Sequence, residues 1–235
     1  MHSGDIEGQI TEEKRTNTAC TQCHTALRDT AAMTQHTKHS ADSAGSNCYA
    51  CHMPEVIYGV QSIHKTHLIT IPDPQLTAEK NVPNACSQCH VDKSVNWATQ
   101  QTKTLWPNHY KDSQPSADKQ FDIAEGVRGL FAGDALTRAL MADAMLKHAD
   151  ANWAEPFLVE AFSGDNYPVV RYFAANGLPA GSGLQKPDYL GDQNARTLQI
   201  SRWLERIDAS RTSEARQVAE TLRKTRKDVD LEVGE

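Results

Sequence analysis

The sequence predicts a mainly α-helical chain with little or no β-structure, in which a loop-rich first part with short helices precedes an α-helical second part. Three observations support this prediction. All six cysteines and nine of the ten histidines lie in residues 1–110. Apolar side chains recur at helical spacing in residues 111–235. A polar segment with serine and proline at 111–118 is typical of a linker, so we expect one domain over 1–110 and another over 111–235.

The first part is too polar to form an ordinary hydrophobic core. It is rich in Ser, Thr, Asn and Gln, and such a segment is either disordered or organised around something that is not protein. Short helices are expected to begin at the cysteine motifs described below, with loops at Pro72, Pro74 and Pro83 between them.

The second part has the periodicity of amphipathic helices. Helices are expected over 119–132, 135–148, 153–163, 165–178, 191–208 and 213–227. Gly133 and Gly164 mark breaks between helices, and Ser213 is the expected N-cap of the last one. This part is expected to supply packing surface rather than chemistry.

The segment 165–178 resembles the second helix of a HEAT repeat. The resemblance rests on Asp165, the Val170-Arg171 pair, two small residues and Leu178, and it extends over about 118–180. It implies a HEAT-like helical domain over 111–235. A plain helical bundle is the alternative for the same helices.

Composition excludes two functional classes. The chain has 235 residues and a formal net charge of −6, with no basic stripe, so nucleic acid is not an expected partner. No run of about 18 apolar residues occurs, so no membrane span is predicted. Residues 1–20 are polar and show no secretion signal, so we expect the chain to be a mature or trimmed form.

One motif occurs three times and uses every cysteine of the chain. Its copies are Cys20-Thr21-Gln22-Cys23-His24, Cys48-Tyr49-Ala50-Cys51-His52 and Cys86-Ser87-Gln88-Cys89-His90. C-x-x-C-H is the attachment signature of c-type haem, because two cysteines three residues apart reach the two vinyl groups of one porphyrin. The next residue, histidine, is then held under the iron. The sequence therefore predicts a trihaem cytochrome c module with three haem c groups. The predicted thioether cysteines are Cys20, Cys23, Cys48, Cys51, Cys86 and Cys89, and the proximal iron ligands are His24, His52 and His90.

Other uses of paired cysteines fit less well. A zinc site needs two pairs, which leaves one pair over and does not explain a histidine after every second cysteine. A thioredoxin-type redox motif would occur once, between a strand and a helix. A disulfide within C-x-x-C closes a tight loop of poor geometry.

Each iron also needs a sixth ligand or an open position. Candidate distal ligands are His39, His67, His36 and His64, and His2 and His109 are further candidates. The first four form two pairs with a spacing of three residues, which would put both rings of a pair on one side of a helical turn. His148 is expected to be an ordinary surface residue of a helix. Histidine is abundant here and methionine scarce, so low-spin bis-histidine ligation with comparatively low potentials is expected.

Several segments around the motifs resemble bacterial multihaem c-type cytochromes of the C-x-x-C-H-M-P type, whose haem module is followed by HEAT-type or other helical repeats. The segments are 36–39 (His-Thr-Lys-His), 45–54 (ending Cys-His-Met-Pro), 58–59, 63–67, 72–74 and 83–90. The resemblance covers about 1–180 and implies distal ligation by His39 and His67. It also implies a periplasmic or extracellular (outer cell surface) place in a bacterium.

The start of the chain departs from this pattern. His2-Ser3-Gly4 resembles a segment that follows another haem motif in longer members, and that motif is absent. Two alternatives follow: Met1 is a truncated start, or His2 binds a haem of this chain or of a neighbour.

The expected function is electron transfer rather than catalysis, with redox partner proteins such as other cytochromes. One alternative is an electron-donating or catalytic subunit of a multihaem reductase of nitrite or another small oxyanion. Multihaem nitrite reductases attach their catalytic haem at a C-x-x-C-K motif, and this chain has no such motif. The other alternative is a subunit of an extracellular cytochrome filament, and homo- or hetero-oligomers remain open.

Overall fold

The structure is a computed structural model that describes residues 11–59, 61–178 and 187–226. Within these ranges it contains 13 α-helices and one two-stranded sheet. The prediction of a mainly α-helical chain with little β-structure is therefore confirmed. No helix in the described ranges has both the length and the apolar character needed to cross a membrane.

The described residues form two compact units. The first unit comprises 11–54 and 65–72, and the second comprises 55–59, 61–64, 73–178 and 187–226. The compositional boundary near residue 110 lies inside the second unit. The third cysteine motif therefore belongs to the same compact unit as the long helices.

The first unit consists of short helices and loops. Its α-helices are α1 (Thr18–Thr21), α2 (Thr30–Thr37) and α3 (Cys48–His52), and its 3-10 helices are Glu12–Arg15, Thr25–Arg28 and Ala44–Ser46. Asp29 caps α2 by accepting a hydrogen bond from the Ala32 amide, and Lys38 ends this helix in the left-handed conformation with a φ of 60°. Met33 is the only buried apolar side chain in the described part of this unit. The described part of this unit therefore has almost no apolar core.

The second unit begins with two short strands that pair, β1 (Glu55–Tyr58) and β2 (Ser62–Lys65, of which Lys65 groups with the first unit). Its helices are α4 (Gln75–Lys80), α5 (Ala85–Cys89), α6 (Val95–Leu105), α7 (Pro107–Tyr110), α8 (Glu125–Ala132), α9 (Ala135–His148), α10 (Ala151–Gly164), α11 (Pro168–Gly177), α12 (Gln193–Leu204) and α13 (Ala209–Arg223), with a 3-10 helix at Lys119–Asp122. A short helix overlaps each of the three cysteine motifs, but only α3 begins at the first cysteine of its motif, whereas α1 and α5 begin one or two residues earlier.

Helices α8 to α13 enclose the hydrophobic core. Leu130, Met141 and Phe162 are among its fully buried side chains. Helix α9 packs on α8 and α11, and α10 packs on α11, α12 and α13. Contacts between next-but-one helices, α9 with α11 and α10 with α12, occur in stacked helical repeats. The HEAT-like assignment itself stays a prediction.

Two predicted helix starts are wrong. The helix expected over 119–132 begins only at Glu125, because Ala124 has non-helical backbone angles and forms a β-bridge with Ser94. The last helix begins at Ala209 with Asp208 as its N-cap, so Ser213 lies inside it. Asp208 accepts a hydrogen bond from the Ser210 amide, which satisfies one of the unpaired amides of the first turn.

Two buried ion pairs brace the second unit. The carboxylate of Glu125 binds the guanidinium of Arg128 through two hydrogen bonds, and both side chains are 2% exposed. The Arg138 Nε atom lies 2.8 Å from a carboxylate oxygen of Asp165. Asp165 also accepts a hydrogen bond from the Tyr167 amide, so it joins α9 to the start of α11.

Candidate functional site

The three cysteine motifs share one local geometry, a single helical turn. In the first motif the amides of Cys23 and His24 both donate to the Cys20 carbonyl, which continues the turn of α1. The second motif is helix α3, and the third is formed by α5 and the residue after it. Residues three apart lie on the same side of a helical turn. Each motif therefore presents both thiols on one side, with its histidine directly after them.

The first two motifs are tied together by the side chain of Asn17, the residue before α1. Its Nδ2 atom donates to the Ser46 carbonyl at 2.8 Å, and its Oδ1 atom accepts from the Cys48 amide at 2.9 Å. The Tyr49 hydroxyl adds a second link by donating to the Lys14 carbonyl at 2.7 Å. Asn17 was not predicted as a linking residue, since its partners lie about thirty positions away in the sequence.

These links bring Cys20 of the first motif next to Cys48 of the second motif. The thiol of Cys48 lies close enough to the thiol of Cys20 for the two groups to interact. Burial, and secondarily this neighbouring thiol, raises the pKa of Cys48 to about 11. The first two predicted haem attachment points are therefore adjacent within the first unit.

His52 is oriented by a backbone hydrogen bond. Its Nδ1 atom lies 2.7 Å from the Thr70 carbonyl oxygen. A carbonyl only accepts, so Nδ1 must be the donor, and the lone pair of the neutral ring is on Nε2. Histidines that bind metals commonly have this second hydrogen bond, which fixes the ring and its tautomer.

His36, on α2, lies beside His52. Their ring centres are 6.1 Å apart, and the ring planes differ by 17°. Partial burial lowers the pKa of His36, and the nearby His52 and His24 lower it further. One candidate distal ligand thus lies close to two predicted proximal ligands.

His39 has the same tautomer as His52. Its Nδ1 atom lies 2.7 Å from the Thr37 carbonyl oxygen, which places the lone pair of the neutral ring on Nε2. The ring packs against Gly45, where a Cβ atom would come within 2.4 Å of the His39 Cδ2 atom. Gly45 is therefore needed to leave room for this imidazole.

The third motif is held by side chains that pair with backbone. Asn84 caps α5 by accepting from the Ser87 amide at 2.9 Å. The Gln88 side chain pairs with the backbone of Glu55 through two hydrogen bonds of 2.9 Å. The rings of His90 and Trp97 are 5.2 Å apart and tilted by 56°. These contacts anchor the motif in the second unit.

His148 was expected to be a surface residue, and it also lies next to the third motif. The residue is exposed at the end of α9, and its Nε2 atom is 3.9 Å from the Cys89 sulfur. Local sequence carries no signal for this contact, because the two residues are 59 positions apart.

The two predicted histidine pairs do not share helical turns. Lys38 turns the chain into the left-handed region between His36 and His39. His64 is on β2, exposed, with its ring 5.9 Å from that of Tyr58, and His67 is exposed in the following loop. The i, i+3 geometry expected for both pairs is therefore wrong, while their ligand roles stay predictions.

Two candidate distal ligands remain, His109 and His2. His109 is exposed, with its ring 4.6 Å from that of Tyr110. His2 lies outside the described residues.

The residues of the first unit fit a haem. Among the described residues, no three His, Cys, Asp or Glu side chains come together as ligands of one metal ion. A porphyrin supplies four nitrogens itself, so its iron takes at most two ligands from the protein. Leu68, Ile69 and Ile71 are 69%, 73% and 58% exposed. Exposed apolar side chains within a unit that has almost no core of its own fit a large apolar group.

Comparison of the chain with protein-family models, curated proteins and solved structures gives no match. The function is therefore inferred from the residues of this chain and their geometry.

Proposed function

We propose that this protein is a trihaem c-type cytochrome that transfers electrons, with mostly bis-histidine, low-spin haems. The observation that carries the proposal is the threefold C-x-x-C-H motif, which accounts for every cysteine and adopts a helical turn each time. Both thiols of a motif then reach one porphyrin from the same side. When bound, each haem supplies an iron that accepts and releases one electron.

The chain's own residues would hold and orient these groups. Cys20, Cys48 and Cys86, each with its second cysteine, would form the thioether bonds, and the histidine after each pair would bind the iron. The hydrogen bond from His52 to the Thr70 carbonyl keeps the His52 ring in place and makes its Nε2 atom a better donor to a metal. Histidine ligation on both sides would hold the potentials low.

The packing of the first unit supports closely placed haems. The Asn17 side chain and the contact between the Cys20 and Cys48 thiols bring two attachment points together. A short path between the first and second haems would follow. Haem surface would also cover the exposed side chains of Leu68, Ile69 and Ile71, which otherwise face water.

The proposed cellular location and partners follow from the proposed haem attachment. Haem of this type is attached outside the cytoplasm, so we propose a periplasmic or outer-surface location in a bacterium. The partners would be other redox proteins. The net charge of −6, made more negative by haem propionates, would favour partners with a basic face.

The first test is the number of covalent haems. The chain would be produced with a secretion signal in a bacterium that has a cytochrome c maturation system, and its mass measured after denaturation. We expect three haems, and two after replacing both cysteines of any one motif by serine. Ser87→Ala, which keeps the third motif intact, is the matched control. A protein that matures without covalent haem would refute the proposal.

The second test separates an electron carrier from a reductase. Paramagnetic resonance of the oxidised protein should show three low-spin irons, and each haem should be reduced and reoxidised reversibly. A high-spin iron that turns over nitrite would instead support the reductase alternative.

A further inference from the structure

The rings of His36 and His52 have a separation that matches the separation of two ligands of one iron. Their ring centres are 6.1 Å apart and their planes differ by 17°. Two imidazoles that bind one metal from opposite sides, each with a metal–nitrogen bond of about 2 Å, have ring centres about 6 Å apart. An offset stack of two rings can have a similar separation, so a second observation is needed.

The second observation is the tautomer of His52. Because Nδ1 donates to the Thr70 carbonyl, the neutral ring has its lone pair on Nε2, the nitrogen remote from this hydrogen bond. His52 is thus prepared to bind a metal rather than to donate a second hydrogen bond.

The position of His36 on α2 adds a third observation. The helix is capped by Asp29 at its start and ends at the left-handed Lys38, so His36 projects from a defined helical turn. The ring of His36 lies beside the ring of His52.

We infer that His36 is the sixth ligand of the iron whose proximal ligand is His52. This inference rests on the proposed function and deepens it, since it assigns a particular histidine to the second haem. It departs from the family resemblance, which favours His39 and His67 as distal ligands. The second haem would then be held entirely by the first unit.

The test begins with the unmodified protein, so that two failures are distinguishable. Fewer than three covalent haems would refute the proposed function, whatever the role of His36. With three haems present, His36→Ala should convert one of the three irons to high spin, and added imidazole should return it to low spin. Gln35→Ala, at the neighbouring exposed position of α2, should leave all three irons low-spin. Three low-spin irons in His36→Ala without added imidazole would overturn the inference.

A double replacement assigns the affected haem. In a variant with Cys48→Ser and Cys51→Ser, the second haem is absent and two haems remain. Adding His36→Ala to this variant should leave both remaining irons low-spin. A new high-spin iron there would show that His36 caps another haem, and would overturn the assignment.

His36→Met provides a test that keeps six ligands on the iron and is useful if His36→Ala matures poorly. Methionine ligation raises the potential of a haem relative to bis-histidine ligation. One of the three midpoint potentials should therefore rise while the spectrum stays low-spin. Three unchanged potentials would overturn the inference.

Discussion

Replacing Asn17 by alanine should weaken the connection between the first two cysteine motifs. The Asn17 side chain makes two hydrogen bonds to backbone groups of the second motif segment, at Ser46 and Cys48. A neutral hydrogen bond contributes about 0.5–1.5 kcal/mol, so the loss of both should lower the free energy of unfolding by about 1–3 kcal/mol. The lower half of that range is expected, since Cys48 is only half-buried and water can reach part of its surroundings.

The assay is urea unfolding of the haem-loaded protein, followed by circular dichroism and by the visible haem spectrum. Asn47→Ala is the matched control, because this asparagine caps only its own helix by accepting from the Tyr49 amide. It should cost about 1 kcal/mol and leave haem–haem interaction unchanged. Asn17→Ala should in addition alter the magnetic or redox interaction between two haems. An Asn17→Ala variant with unchanged stability and unchanged interaction would refute the linking role.

Three further predictions concern packing and charge. Gly45→Ala should displace the His39 imidazole, since the new Cβ would lie 2.4 Å from the His39 Cδ2 atom. We expect urea unfolding to show a loss of about 1–3 kcal/mol in the free energy of unfolding. An unchanged unfolding midpoint would contradict this prediction. Arg128→Met leaves the buried Glu125 carboxylate unpaired and should cost about 3–5 kcal/mol, most of which the double variant with Glu125→Leu should recover. Burial raises the pKa of Glu125, so the folded Arg128→Met protein binds a proton more tightly than the unfolded chain. Its deficit should be smallest below about pH 4 and grow as the pH rises through the folded pKa, whereas a deficit independent of pH would contradict this.

Local features of the chain were predictable from its sequence. Helix α9 has the predicted bounds of 135–148, because apolar residues at helical spacing and the Gly133-Asp134 break specify it locally. The helical turn at each cysteine motif was likewise expected, since it depends on neighbouring residues alone. The start of α8 was missed, because the non-helical conformation of Ala124 depends on a β-bridge to Ser94, thirty positions earlier.

The candidate site likewise has some features that the sequence predicts and others that only the tertiary structure determines. The C-x-x-C-H spacing predicts haem attachment and the proximal histidines without any knowledge of the fold, because one turn of chain contains the whole motif. The pairing of His36 with His52 and the contact of His148 with Cys89 join residues 16 and 59 positions apart. Such contacts depend on how loops and helix ends direct the chain. The left-handed turn at Lys38 and the packing of α9 therefore decide which histidine meets which motif.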